Sequence, residues 1–105
     1  MSSKCIRYQV IGNCIAGHFV GVGHKDFYFS IDYYEKSKDF LLTMSSLGIS
    51  KNKLKGDTLD EILEDAERII INKIEKRKQD FDDMENLLKS PNKEMTVREN
   101  FRGRV

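Results

Sequence analysis

Apolar and polar side chains alternate along the first third of the chain, as they do in β-strands that cover a core with one face. Two such runs, CIRYQVI (5–11) and CIAGHFVGV (14–22), flank a Gly-Asn dipeptide that suits a two-residue hairpin turn. A third run, FYFSIDY, follows the segment HKD (24–26). We therefore predict a three-stranded antiparallel meander within residues 4–33.

The predicted register places three polar side chains in one row on the less apolar face of this sheet. The two-residue turn pairs Arg7 with His18, and a three-residue loop at 24–26 pairs His18 with Asp32. The row can be a small charged site in which Asp32 holds His18 as a proton acceptor. It can also be a solvated charge ladder, worth a few tenths of a kcal/mol per pair. We favour the ladder, because no nucleophile or oxyanion donor accompanies the row.

The glycines of CIAGHFVGVGH (14–24) resemble a phosphate-binding loop only superficially. Such a loop lies between a strand and a helix, whereas strand-like sequence follows Gly23, and neither GxGxxG nor GK[ST] occurs. We interpret Gly17, Gly21 and Gly23 as strand positions that leave room for large rings from neighbouring strands. The rings expected there belong to Tyr8, Phe27, Phe29 and Tyr33.

The apolar period changes to that of a helix after residue 33. Phe40, Leu41, Met44 and Leu47 predict a short helix over about 34–48, ended by Gly48. A basic connection, 49–57, follows, in which Ile49 and Leu54 can still pack. The sequence TLDE then forms a capping box, and apolar residues recur at three, four or seven positions until Ser90-Pro91. This pattern predicts a long helix over about 58–89.

The distal part of this long helix carries apolar residues that a small domain cannot cover. A continuous helix over 58–89 spans about 48 Å. The polar interval EKRKQD (75–80) is either a solvated bridge or a break. Beyond it, Phe81, Met84, Leu87 and Leu88 form a second apolar patch. We expect homodimerisation through this segment, with a folded-back hairpin as the alternative.

Composition narrows the class of protein. With 105 residues, 39% apolar and 33% charged, the chain suits a single α+β domain, residues 1–105. A net charge of +1 argues against a dedicated DNA-coating role. Two cysteines, no signal-peptide pattern and no bilayer-length apolar run indicate a cytoplasmic protein with no membrane partner. Neither CxxC nor HExxH occurs, so we expect no metal and no cofactor.

The C-terminal segment, 91–105, is expected to form an ordered arm that carries three arginines. Arg98, Arg102 and Arg104 suit bidentate contact with phosphate or carboxylate, and Phe101 can stack on a base. One interpretation is an anion or nucleotide pocket closed by this arm. The other is a set of surface salt bridges to the acidic face of the long helix, at Glu64, Asp65, Asp82, Asp83 and Glu85.

The whole pattern resembles phage-encoded sponges for cyclic-nucleotide immune signals, of the Thoeris anti-defence type. The resemblance lies in the YQVIGNCIAGHFVGV sheet, the TLDEILEDAERIIINKIEKRK helix and the VRENFRGRV end. It implies a small dimeric protein that binds its ligand without cleaving it. We expect a non-enzymatic protein that sequesters an anionic, nucleotide-like ligand. Its candidate binding residues are Arg7, His18, Asp32, Arg98, Phe101, Arg102 and Arg104.

Two other functions remain open from the sequence. The chain can act as an inhibitor or adaptor that binds a host protein through the exposed helix face. Weak nucleic-acid binding is a further alternative, although the open sheet face offers only Arg7 as a fixed positive charge. An enzyme is the least favoured class, because no catalytic triad, metal set or nucleotide fingerprint occurs.

Overall fold

The computed structural model describes residues 4–23, 27–91 and 93–96. Within them, five strands form one antiparallel sheet in sequence order, and one long helix follows. The elements are β1 (Cys5–Ile11), β2 (Cys14–Val20), β3 (Phe27–Tyr34), β4 (Asp39–Met44), β5 (Ile49–Lys53) and α1 (Leu59–Lys89). The α+β class is confirmed, and the sheet has two strands more than the predicted meander.

The predicted hairpin of β1 and β2 is confirmed, with Ile11 paired to Cys14. Its two turn residues adopt φ angles of opposite sign. Gly12 has a φ of 60°, whereas Asn13 is not among the non-glycine residues with positive φ. A positive φ at the first turn position alone is the pattern of a type II′ turn, whose twist matches that of the flanking strands.

The pairing of β2 with β3 differs from the prediction. Gly17 lies opposite Phe29, whereas the three-residue loop placed it opposite Tyr33. The reason is that Gly21 and Gly23 take positive φ angles, 79° and 72°, and lie in a turn instead of in the strand. The register is thus displaced by four residues. Because that number is even, every side chain keeps its predicted face.

Residues 34–48, predicted as a short helix, form β4 and a short 3-10 turn (Ser45–Leu47). Leu42 and Met44 are buried, whereas Leu41, which precedes Leu42, lies on the other face. A short apolar run fits both the helical period and the strand period, and pairing with β3 determines that this segment forms a strand. Gly48 keeps its predicted capping role, with a φ of 70°, but it ends the 3-10 turn.

The predicted connection 49–57 begins with β5, which is the second edge of the sheet. Ile49 and Leu54 are buried, as the sequence predicted. The pairing of β5 with β4 is irregular between Leu42 and Met44. Such an irregularity bends and twists an edge strand.

The first part of α1 covers one face of the sheet. From the helix, Ile62, Ala66 and Ile70 are buried, and their spacing of four places them on one stripe. From the sheet, Phe29 and Ile31 have no exposed surface. The core cluster comprises Ile15, Phe29, Ile31, Leu42, Met44, Ile49, Leu54, Ile62, Ala66 and Ile70. Burial of this stripe, more than intrinsic helix propensity, stabilises the first half of α1.

The capping box at the start of α1 forms in a modified way. The Thr58 hydroxyl accepts a hydrogen bond from the Glu61 backbone N–H at 3.2 Å. The Glu61 carboxylate accepts from the backbone N–H of Asp57, at 2.9 Å, instead of from that of Thr58. One backbone donor of the first helical turn and one just before the helix are satisfied in this way.

α1 is continuous over its 31 residues, about 46 Å. The polar interval 75–80 is helical throughout, so the break considered for this interval is absent. The chain contains two compact units, Met1–Ile74 and Glu75–Val105. The described part of the second unit comprises the distal half of α1 (75–89) and residues 90–91 and 93–96, whose last four residues have no regular secondary structure.

Candidate functional site

The open face of the sheet, opposite α1, carries a row formed by Arg7, His18 and Tyr28. The ring centroids of His18 and Tyr28 are 6.1 Å apart, with planes tilted by 31°. Asp32 lies opposite Cys14. Cys14 is four residues along β2 from His18, a distance of roughly 13 Å. The structure thus brings Arg7 and His18 together, but the predicted row with Asp32 is wrong, because of the longer β2–β3 connection.

Tyr28 is the member of this row that the sequence prediction missed. Its side chain is 61% exposed. The signal that could have identified it is the Gly-Val-Gly sequence at 21–23, because closely spaced glycines are typical of turns. The row contains no carboxylate to orient the His18 imidazole, so the acid–base pair considered for this face does not form.

Cys14 and Asp32 form a separate polar contact on the same face. The half-buried Cys14 thiol donates a hydrogen bond to the Asp32 carboxylate. This bond, together with partial burial and the negative charge of Asp32, raises the pKa of the thiol. Because the thiolate is the reactive form of cysteine, Cys14 is a weak nucleophile at neutral pH.

Tyr8 connects β1 to α1. Its hydroxyl donates a hydrogen bond to the Glu67 carboxylate at 2.6 Å, and its ring meets Phe29 edge-on at 5.9 Å. Burial raises the pKa of Tyr8, and the hydrogen bond to Glu67 and the charge of that carboxylate raise it further. These contacts hold the middle of β1 against the core, so we assign Tyr8 a structural role.

An apolar cavity of about 240 Å³ lies beside the core, near the connection between β2 and β3. Its lining comprises Phe19, Val22, Phe27, Met44, Ser46, Leu47 and Ile74. These side chains carry no charge. The cavity suits a small apolar group, and burial of an anion there would be strongly unfavourable.

A charged cleft beside the start of α1 also offers little to an anion. It is lined by Lys55, Glu61, Glu64, Asp65 and Arg68. Asp65 accepts hydrogen bonds from the Arg68 guanidinium, at 2.6 Å, and from the Lys55 backbone N–H, at 2.8 Å. These bonds hold the pKa of Asp65 below its usual value. Three carboxylates thus face two basic side chains, one of which is already paired.

The arginine-rich segment lies outside the described residues. This applies to Arg98, Phe101, Arg102 and Arg104, and to the predicted arm from residue 97 onward. Within the described residues, two of the carboxylates expected to pair with these arginines have other partners. Asp65 pairs with Arg68, and Glu85 pairs with Lys89 at 2.9 Å.

The distal half of α1 presents an apolar face, as the sequence predicted. Every residue from 75 to 89 is exposed. The large apolar side chains among them are Phe81, Met84, Leu87 and Leu88, with exposed fractions of 60%, 49%, 62% and 73%. Phe81, Met84 and Leu88 lie at positions i, i+3 and i+7, which places them on one stripe of the helix.

Comparison with known proteins gives no family assignment. No protein-family model matches the chain, and no curated protein or solved structure does either. Within the described residues, no three metal-ligating side chains are grouped closely enough to hold an ion. The same part of the chain contains no helix with the length and hydrophobicity to cross a membrane.

Proposed function

We propose that this chain is a non-enzymatic protein-binding module, whose distal α1 face inserts into an apolar groove of another protein. The observation that carries the proposal is the exposed stripe formed by Phe81, Met84 and Leu88. Anchors at i, i+3 and i+7 are the pattern by which a single amphipathic helix binds in a groove. Large apolar side chains grouped on a surface are characteristic of binding sites.

The size of the stripe favours a groove over a second copy of the same helix. A fully exposed large side chain has a surface of about 200 Å², so the exposed parts of the stripe and the adjacent Leu87 together amount to about 500 Å². Two copies packed through these residues alone would bury roughly 1,000 Å², below the ~1,200 Å² of a stable interface. In addition, Arg77 occupies the stripe one turn before Phe81, so the apolar seam covers only two turns.

The charges of the distal helix define what such a groove should look like. Lys76, Arg77 and Lys78 precede the stripe, whereas an acidic cluster at 80–85 flanks its centre. A complementary groove is therefore apolar along its floor, acidic at the end that receives 76–78, and basic beside 80–85. Homodimerisation through this segment is the alternative outcome of the test.

Photocrosslinking from two faces of the distal helix tests the proposal. p-Benzoylphenylalanine replaces Met84, on the stripe, or Gln79, on the opposite face, and the full chain is irradiated in extracts of cells that produce it. We expect one heterologous product from position 84 and none from position 79. The change Leu88→Glu should abolish the product, whereas Gln79→Glu, which adds the same charge, should preserve it.

Two results would contradict this function. Equal products from positions 79 and 84 would show that the face is not selective. A product of twice the chain mass, abolished by Leu88→Glu, would identify a second copy as the occupant. Because surface substitutions of this kind alter stability by less than about 0.5 kcal/mol, loss of fold would not account for either result.

Sequestration of an anionic, nucleotide-like ligand stays a prediction from the sequence and is testable independently. Replacement of Arg98, Arg102 and Arg104 by alanine should abolish binding of cyclic nucleotides by the intact chain, measured by calorimetric titration. The unfolding free energy should change little. Unchanged affinity in the triple variant, or no heat with the wild-type protein, would exclude this ligand site.

A further inference from the structure

The two edges of the sheet differ in how well they are protected from pairing with another strand. β5 carries an irregular register, a positive φ of 49° at Lys51, and exposed lysines at 51 and 53. Bulges and lysines are common means of keeping an edge strand from pairing. β1 pairs with β2 in a continuous register, and it contains no proline and only one charged residue, Arg7.

β1 also exposes apolar side chains on both faces of the sheet. Ile6 and Val10, on the face that α1 covers, are 41% and 55% exposed, and Ile11 on the open face is 71% exposed. Only Tyr8 among the seven residues of the strand is half-buried. Such an edge is a template for strand addition.

The turn determines which backbone groups of β1 are free. In the β-turn, the Ile11 carbonyl accepts from the Cys14 N–H, so this pair is hydrogen-bonded. Hydrogen-bonded and non-hydrogen-bonded pairs alternate along antiparallel strands. The N–H and C=O groups of Ile6, Tyr8 and Val10 therefore point away from β2, toward the side on which the described residues place no further strand.

We propose that β1 pairs with β1 of a second copy of this chain, antiparallel and centred on Tyr8, so that the two sheets become one. The strand CIRYQVI is self-complementary about its centre. In this register Ile6 lies opposite the partner's Val10, and Arg7 lies opposite the partner's Gln9. Apolar side chains thus meet apolar ones and polar ones meet polar ones, as an isologous interface requires.

Symmetry and polarity together select this register. The two-fold axis of an antiparallel strand pair is perpendicular to the sheet, so it leaves each side chain on the same face of the sheet. Residues directly opposite each other share a face, and the axis must therefore pass between two copies of the same residue. Centring on Arg7 would set Cys5 opposite the partner's Gln9, and centring on Gln9 would set Arg7 opposite the partner's Ile11. With Tyr8 at the centre, the outward groups of β1 form about six inter-chain backbone hydrogen bonds.

Charge-swapped variants test this pairing. Ile6→Lys combined with Val10→Lys sets like charges directly opposite each other at both ends of the interface. Ile6→Glu combined with Val10→Glu does the same with the opposite sign. We expect the wild type to sediment as a dimer and the dissociation constant of each variant to rise roughly 100-fold or more. An equimolar mixture of the two variants should dimerise again.

Two control variants carry new charge at positions away from β1. Ser50→Lys combined with Gln79→Lys adds the same charge as the lysine double variant and should leave the dimer intact. Leu88→Glu should do so as well, which makes the result independent of the function proposed for the distal helix. A monomeric wild type at about 100 μM, or a lysine double variant that dimerises as tightly as the wild type, would overturn the proposal.

A disulfide provides a second measurement that does not depend on how strongly charge repels. In the proposed register Cys5 lies opposite the partner's Ile11 as a non-hydrogen-bonded pair, whose Cα separation of about 4.5 Å permits a disulfide. Ile11→Cys, with Cys14→Ser to remove the cysteine on β2, should form covalent dimers under mild oxidation. Adding Cys5→Ser should abolish them, and absence of covalent dimer in the first variant would count against the register.

Discussion

The contact between Gly17 and Phe29 offers a direct test of the register that separates Asp32 from His18. A Cβ added at Gly17 would overlap the ring of Phe29, which is fully buried and cannot move aside. Overpacking of this kind costs about 1–3 kcal/mol. The backbone of Gly17 does not require glycine, since its φ lies outside the left-handed region, and alanine there gains about 0.5–1 kcal/mol. We therefore expect Gly17→Ala to destabilise the protein by about 1–2 kcal/mol.

A double-mutant cycle isolates the contact from general damage to the core. Phe29→Leu removes the ring that the new methyl group would meet, at its own cost in lost packing. In the Phe29→Leu background, Gly17→Ala should keep only its gain of about 0.5–1 kcal/mol, so the two substitutions should couple by about 1–3 kcal/mol, the cost of overpacking. Free energies come from urea unfolding followed by circular dichroism, with the slope of each transition checked for two-state behaviour.

The control distinguishes the observed register from the one that a three-residue loop would give. In that register Gly17 would face Tyr33, a residue that instead packs on Phe40 with ring centroids 4.9 Å apart. Gly17→Ala and Tyr33→Leu should therefore be additive within about 0.5 kcal/mol. Coupling with Tyr33 and additivity with Phe29 would refute the register, and would return Asp32 to the row of His18.

Three further changes test local contacts. Tyr8→Phe removes the hydrogen bond to Glu67 and should cost about 1–2 kcal/mol at neutral pH. Because folding raises the pKa of Tyr8, its contribution is complete below about pH 10 and declines above it. The wild type should therefore lose more unfolding free energy than Tyr8→Phe between about pH 9 and pH 11, and parallel losses would contradict this. Asp32→Asn should lower the pKa of Cys14. In a variant without the other cysteine, the pH profile of alkylation should therefore shift to lower pH. An unshifted profile would mean that the contact between Asp32 and Cys14 is absent. Thr58→Ala removes the helix cap and should lower stability by about 1 kcal/mol in urea unfolding, and an unchanged midpoint would show that the cap contributes nothing.

The sequence determined which residues share a face more securely than it determined which residues touch. Alternation placed Phe29 and Ile31 on the core face, and this assignment survives any even displacement of register. The register itself depends on the length of the connection between β2 and β3. This connection is longer than predicted, because Gly21 and Gly23 take positive φ angles and belong to it instead of to β2. The position of Asp32 in the candidate row depended on that connection, and the prediction was wrong there. Arg7 and His18 depend only on the β1–β2 hairpin, and they are paired as predicted.

The error at β4 has a different origin. In DFLLTM, consecutive apolar residues satisfy the helical period and the strand period equally, so local sequence cannot decide between them. The decision comes from β3, whose residues from Ser30 to Tyr34 pair with β4. Long-range pairing overrides local preference at such segments. The long helix was predictable, because its capping box and its repeated apolar spacing both lie within local sequence.

The two surfaces proposed for binding differ in the chemistry that recognises a partner, and so they can act at the same time. β1 offers backbone donors and acceptors, whereas the distal half of α1 offers side chains alone. A dimer formed through β1 carries two distal helices, and paired helices raise the apparent affinity for any partner that presents two grooves. The charge variants of β1 should then weaken binding to such a partner. Crosslinking should still occur from position 84 and not from position 79, because the stripe itself is unchanged. For a partner with a single groove, the same variants should leave binding unchanged, because each helix then acts alone.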